Sequence, residues 1–359
     1  MKVAALTIDY PGRRFIGSEV ATHAMLHHLA MHGHEVEVFT TTPGDEPWQY
    51  EGIDVTPGVN AFLAAVPTAD VVVTHIELGK KLKGLAKPLV GITHNARPEM
   101  LQRMSLAPWS LIVHNSQATA DALTPARECP YLIVRPPVDW QRYITDRPDA
   151  EAITLVNVTG EKGSDTFYEL AARMPDRKFL GVIGGWGAPD RRDLPNVEIV
   201  EHCDDMRSVY ARTRLLLMPS EHESWGRVAV EAMTSGIPVL ATDLPGPREA
   251  IGDGGRLIEL DWWDEYERQI RLLDDPDTYA QLSAAASFRA HQLHGLRRDE
   301  LAALLACMEA LAVGERGPWL EDGLVRFLYR PSGRPRLVRE GCPQHQRMRT
   351  LPDVWQEAS

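Results

Sequence analysis

Two glutamates eight residues apart, Glu223 and Glu231, follow a short apolar run that ends at Met218. Pro219, Ser220, Ser224, Trp225, Gly226 and Arg227 lie between that run and the second glutamate. The pattern predicts a strand, a loop and then a helix. A helix start presents backbone N–H donors and a positive dipole end, a natural seat for a diphosphate. Along a helical path the two carboxylates would stand ~12 Å apart and roughly 80° round the axis. Two carboxylates so placed could hold hydroxyls at both ends of one long ligand, one on a sugar and one on a ribose. The same spacing also fits a solvated amphipathic helix start with an acid ahead of it. Spacing alone leaves both readings open.

The elements that must position these residues form two successive α/β patterns. Apolar runs at Val3–Ile8, Val36–Thr40, Val71–His75, Leu89–Thr93 and Leu111–His114 alternate with helical stretches, the first of them Ser18–His32 closed by Gly33. Buried runs separated by helices imply βαβ units around a parallel sheet. Arg135-Pro136-Pro137-Val138-Asp139 and Thr145-Asp146-Arg147-Pro148-Asp149 then read as linker. The pattern restarts with runs at Ile153–Val158, Lys178–Ile183, Leu215–Met218 and Pro238–Thr242, and turns helical from about Asp261 to Ala312. The expected architecture is α/β, with two doubly wound, Rossmann-like domains facing across a cleft. The expected boundaries are 1–145, 146–315 and a C-terminal extension over 316–359. Ligands in open sheets of this kind sit beyond the carboxyl ends of the strands.

The chain has 359 residues, enough for about two domains at roughly 150 residues each. Its 44% apolar and 25% charged residues are globular values. A net charge of −12 argues against general nucleic-acid binding, which rests on Lys and Arg. The N-terminal apolar run is too short for a signal peptide, and no stretch reaches the length of a membrane span. Four cysteines without paired spacing imply no disulfide scaffold and a cytoplasmic setting.

The string Pro219-Ser220-x-x-Glu223-Ser224-x-Gly226, continued by Glu231-Ala232-x-x-x-Gly236-x-Pro238-Val239, resembles the signature of glycosyltransferase family 4, the retaining GT-B enzymes. Five other stretches resemble that family in order. They are Ile16-Gly17-Ser18-Glu19 with Gly33-His34-Glu35-Val36, Val90-Gly91-Ile92-Thr93-His94, Pro137-Val138-Asp139, Gly160-Glu161-Lys162-Gly163 and Pro245-Gly246-Pro247-Arg248-Glu249. Together they cover roughly residues 1–260. The resemblance implies a GT-B fold and transfer of a sugar from a nucleoside-diphosphate sugar, UDP first and GDP second, to a hydroxyl acceptor with retained configuration.

It also implies roles. Glu231 would bind the donor ribose. Glu223 would hold hydroxyls of the transferred sugar, with backbone N–H groups of Ser224, Trp225 and Gly226. Lys162 would neutralise the diphosphate, and His94 would face the sugar or the attacking hydroxyl. Gly17 would admit the phosphates, and Gly246, Arg227 and Arg248 would line the donor site. No protein nucleophile and no essential metal are expected; electrostatic stabilisation and positioning would do most of the work. This chain departs from the family at two places. Val156-Asn157-Val158-Thr159 lacks the arginine usual before the lysine, so half of the phosphate clamp is either missing or supplied elsewhere, with Arg248 and Arg227 the candidates. Ile16 stands where the opening pair has its first glycine.

Smaller features carry weaker readings. Gly184-Gly185-Trp186-Gly187 hints at a dinucleotide loop but lacks the third glycine. His23, His27, His28, His32 and His34 lie on one helix and its exit; without a third ligand at matching spacing they read as a helix face. Asp204-Asp205 and Cys342-Pro343-Gln344-His345 read as no metal site. Lys80, Lys81, Lys83 and Lys87 read as a solvated crossover or an anionic-surface patch. Residues 324–350 hold seven arginines against one glutamate, a basic tail expected to pack on the acidic core. Two other classes remain beside the transferase: a non-catalytic sugar-nucleotide-binding protein, and a GT-B sugar-nucleotide epimerase.

Overall fold

The computed structural model describes residues 1–42, 44, 46–82, 84–123, 129–185 and 187–314. Lys83, Trp186, Cys342, His345 and the 316–359 extension lie outside the described residues.

The first sheet has eight strands: β1 (Lys2–Thr7), β2 (Glu35–Thr40), β3 (Trp48–Tyr50), β4 (Ile53–Pro57), β5 (Val71–His75), β6 (Leu89–Thr93), β7 (Leu111–His114) and β8 (Tyr131–Ile133), in the order β3-β4-β2-β1-β5-β6-β7-β8. All its pairings are parallel except β3–β4, a hairpin. Glu51 and Gly52 form the two-residue turn between them with φ of 47° and 79°, the primed geometry that matches strand twist. Helices α1 (Gly17–Met31), α2 (Val59–Ala65), α3 (Glu99–Met104) and α4 (Gln117–Leu123) make the crossovers. Val71, Val73, Val90 and Ile92 face one core and Val72 and Leu89 the other, because a strand buried on both faces must be apolar throughout.

The second sheet has six parallel strands: β9 (Ala152–Val156), β10 (Phe179–Val182), β11 (Val197–Val200), β12 (Thr213–Met218), β13 (Val239–Thr242) and β14 (Gly255–Ile258). Their order, β11-β10-β9-β12-β13-β14, is the 3-2-1-4-5-6 order of doubly wound folds. The strand order reverses between β9 and β12, the switch point beyond whose strand ends folds of this kind form their ligand crevice. Its helices are α5 (Ser164–Arg173), α6 (Arg207–Tyr210), α7 (Arg227–Met233), α8 (Pro245–Ile251), α9 (Trp263–Leu272) and α10 (Pro276–Ala312). The single helical stretch expected from Asp261 is therefore two helices. Asp275 separates them, since its side chain accepts from Thr278 N at 2.8 Å and Pro276 fills the first helical position.

Helix α10 joins both cores. Leu282, Ala286, Ala290 and Leu293 pack in the second; Leu301, Leu304, Cys307, Met308 and Leu311 pack in the first. One knot of charge holds this crossing. Arg135 of the linker donates its backbone N–H to Glu300 of α10 at 2.7 Å, and its guanidinium pairs with Glu300 and, at 2.7 Å, with Glu249 of α8. Glu249 in turn accepts from the N–H groups of Gln117 and Ala118 at 3.1 Å, where α4 begins. Burial pushes the Glu300 carboxyl up to about 7, against the pull of Arg135. Between pH 4.5 and 7 the folded chain thus keeps a proton that the unfolded chain releases. This contribution to stability is full below 4.5 and lost as pH rises through 7, on the order of 3 kcal/mol at about 1.4 kcal/mol per unit. Glu300→Gln is expected to remove that fall, read as urea midpoints from pH 4.5 to 8; an unchanged pH slope would show that Glu300 is ionised throughout.

Among the described residues no helix is long and apolar enough to cross a membrane.

Candidate functional site

Two loops flank the β9/β12 crevice. One runs from Asn157 to Gly163 after β9, and the other from Pro219 to Gly226 after β12. They are locked together. Glu221 donates its N–H to Glu161 O at 3.1 Å. Gly163 has φ +84°, and a Cβ there would stand 2.1 Å from Pro219 O, so only glycine permits this approach. Lys162 Nζ consequently lies 2.7 Å from Glu223 Oε2, both side chains partly exposed to the crevice. A cation and a carboxylate at a sheet switch point can bind a phosphate and a hydroxyl side by side.

Helix α7 starts only at Arg227, after Gly226 at φ +109°. Glu223 therefore sits on the loop, and the helical path expected between the two glutamates is not formed. No side chain caps α7. Gly246 brings α8 under this loop: a Cβ there would be 2.4 Å from the Ser224 carbonyl carbon.

Glu231 is buried at 3% exposure. It pairs with Arg227 Nη1 at 2.8 Å and accepts from Tyr210 Oη at 2.8 Å. Arg227 also donates to Tyr143 Oη at 2.6 Å. Burial works against the Arg227 charge, but Glu231 and Tyr143 outweigh it and raise its pKa. Burial pushes Tyr143 up to about 12. Arg248 is exposed and pairs with Asp243, Nη2 to Oδ2 at 2.6 Å. Both candidates for the missing strand-end arginine are thus already paired with carboxylates, Arg227 with Glu231 and Arg248 with Asp243. That strand-end position is Asn157, in the left-handed region at φ 67°. Its Oδ1, with Thr159 Oγ1 and Ser220 Oγ, is buried without a hydrogen-bond partner among the described residues. Asn157 and Thr159 lie in the first loop and Ser220 in the second, and buried polar atoms left unpaired call for a partner beyond the described residues.

The first domain closes over these loops. Ser224 Oγ donates to the His94 carbonyl at 2.7 Å, and Asn115 Nδ2 donates to Ser224 Oγ at 2.8 Å. The His94 ring lies beyond β6, with Nε2 3.1 Å from Thr22 Oγ1 and His75 edge-on at 4.5 Å. Burial, and then His75, hold its pKa well below the ordinary value, so the ring is neutral. A Cβ on Gly17 would meet nothing within 4 Å, so protein packing does not require glycine there. The structure thus brings His94, Lys162, Glu223, Ser224 and Gly226 to one cleft, with Gly246 beneath the loop and Glu231 and Arg227 behind it; the Trp225 ring is buried in the core under Arg135, so only its backbone belongs to the loop.

Other cleft residues have no sequence signal. Arg97 pairs with Glu161 at 2.9 Å, and Arg14 donates to Gly185 O at 2.9 Å. Both reach from the first domain to the second, and nothing in their local spacing foretells it. The Arg227–Glu231 pair did have a signal, the i,i+4 spacing of a helix. The lysine group divides: Lys87 donates to the Pro67 and Ala69 carbonyls, while Lys80 and Lys81 lie on the short 3-10 helix Ile76–Leu82.

Residues 148–288 match the family described as glycosyl transferases group 1. A D-inositol 3-phosphate glycosyltransferase of Corynebacterium aurimucosum is 30% identical over 224 residues, 51% of this chain and 52% of that protein. The chain thus spans about half the length of that curated relative. Sucrose-phosphate synthase from Thermosynechococcus elongatus superposes with a TM-score of 0.74 at 16% identity, over 88% of this chain and 98% of that one. Anabaena HepE in complex with UDP-glucose superposes with a TM-score of 0.69 at 19% identity, over 88% of this chain and 100% of that one. At these identities the structural likeness is one of fold.

Proposed function

We propose that this chain, whose residues 148–288 match the glycosyl transferases group 1 and whose two-domain fold is that of GT-B enzymes, transfers a sugar from a nucleoside-diphosphate sugar to a hydroxyl acceptor with retained configuration. The observation that carries this reading is the Lys162–Glu223 pair at the β9/β12 switch point, 2.7 Å apart and roofed by the His94 segment. UDP is the first choice of nucleotide, supported by the UDP-glucose bound in HepE; GDP is the second.

Lys162 would stabilise the diphosphate as the sugar–oxygen bond breaks and its electron pair goes to the phosphate oxygen. Glu223 would accept from sugar hydroxyls. The neutral His94 ring would exchange a hydrogen bond with the sugar or with the attacking hydroxyl, whose oxygen bonds to the anomeric carbon and whose proton goes to the departing phosphate. Glu231 would act from behind, accepting from the ribose only if the Arg227 pair yields an oxygen. No metal ligand is required by this scheme. The role of Gly17 would be to leave open space for phosphates at the start of α1.

The acceptor would be chosen by the first domain. A second reading, sugar-nucleotide binding without turnover, is favoured by one observation: Asn157 in place of a strand-end arginine, with Arg227 and Arg248 paired elsewhere. Thermal unfolding with UDP, GDP, ADP, TDP and their common sugar conjugates tests the proposal. One diphosphate should stabilise the chain, by about 2.7 kcal/mol at 100 times its dissociation constant. No shift with any of them would overturn it, and stabilisation without release of the diphosphate from its sugar would favour the second reading.

A further inference from the structure

The first helix carries a second constellation, made of residues that the cleft just described does not use. His23 and His27 stand one turn apart on α1, their rings stacked with centroids 5.4 Å apart. The sequence offers them no third ligand nearby. The fold supplies one: the left-handed turn of the β3–β4 hairpin swings Glu51 over α1, and Glu51 Oε2 lies 3.0 Å from His23 Nε2. One ligand atom from each of His23, His27 and Glu51 lies within 4.8 Å of the others.

We propose that His23, His27 and Glu51 form a zinc site. Two imidazoles and a carboxylate are a zinc donor set, and a fourth position stays open to water. The outer shell fits as well. Tyr10 Oη lies 2.8 Å from His23 Nδ1, so it can accept the Nδ1 proton once Nε2 binds the metal. Glu51 is held from its other oxygen by Arg142, which orients the carboxylate and leaves Oε2 to the metal. The ion would tie α1 to the hairpin and, through Arg142, to the linker between the two domains. It takes no part in the transfer proposed above, so either idea can fail without the other.

The test is calorimetric titration of zinc chloride into the full-length chain after chelator treatment. The wild type should bind one zinc that His27→Ala and Glu51→Gln each weaken at least tenfold. His27 is half-buried and Glu51→Gln keeps the hydrogen-bonding shape, so both variants are expected to fold. The half-buried His28 and the exposed His32 form a second pair with ring centroids 4.3 Å apart, and their double alanine variant should bind as the wild type does. Cobalt in place of zinc should give the intense visible bands of a four-coordinate site, lost in His27→Ala. The proposal is overturned if the wild type binds no zinc. It is equally overturned if His27→Ala binds unchanged, or if the His28/His32 variant abolishes binding.

Discussion

Lys162→Ala is expected to lower turnover by about 10²–10³-fold while leaving the fold intact. The Lys162 ammonium pairs with Glu223 at the crevice, 2.7 Å away. Charge developing on a departing diphosphate there would be met by a fixed donor in a site shielded by the first domain. Loss of one such donor typically costs about 2.7–4 kcal/mol of transition-state stabilisation. The cost to folding should be far smaller. Lys162 and Glu223 are 28% and 16% exposed, and ion pairs that reach solvent contribute about 0–1 kcal/mol. The check is a pair of measurements on one variant: the rate of diphosphate release from the sugar nucleotide, and the urea midpoint. Wild-type turnover would remove Lys162 from the leaving group. A collapsed midpoint would make it a structural residue instead.

Glu231→Ala should do the opposite, striking stability first. The carboxylate is buried and balances Arg227, itself buried and held by Tyr143. Removing it strands a guanidinium away from water, a change that typically costs about 3–5 kcal/mol. It also leaves Tyr210 Oη without its acceptor. Glu231→Gln keeps the shape and one acceptor oxygen, so it should fold better than the alanine variant. The ribose role is tested on this glutamine variant, where nucleotide affinity should fall about tenfold, the loss of a charge-assisted hydrogen bond. Alanine at 231 with a wild-type urea midpoint would show that the Arg227 pair adds nothing. Unchanged affinity in the glutamine variant would remove Glu231 from the donor site.

How legible this was in the sequence depended on burial. Val71–His75, Leu89–Thr93 and Leu111–His114 are strands at the bounds their apolar runs predict, because strands buried on both faces read as unbroken runs. The edge strands β3, β11 and β14 gave no such run. Trp48–Tyr50 has an exposed middle residue, and Val197–Val200 and Gly255–Ile258 carry Glu198 and Arg256. The motif around Glu223 was legible as chemistry but not as geometry. Gly226 in a left-handed conformation delays the helix, so the two glutamates sit on different elements with different partners. Contacts between the halves of the chain were out of reach. Arg97 meets Glu161, and Glu249 caps α4, across separations over which spacing carries no information. The same holds for Glu51, whose value as a third ligand to the α1 histidines depends on a hairpin turn.

The central claim is that the crevice between β9 and β12 binds a nucleoside diphosphate. Calorimetric titration of UDP into the wild-type chain tests it most directly, with GDP, ADP and TDP run alongside. The account predicts saturable binding of one nucleotide per chain by at least one of the four, weakened in the Lys162→Ala variant. Absence of binding by all four, or binding indifferent to Lys162, would contradict it.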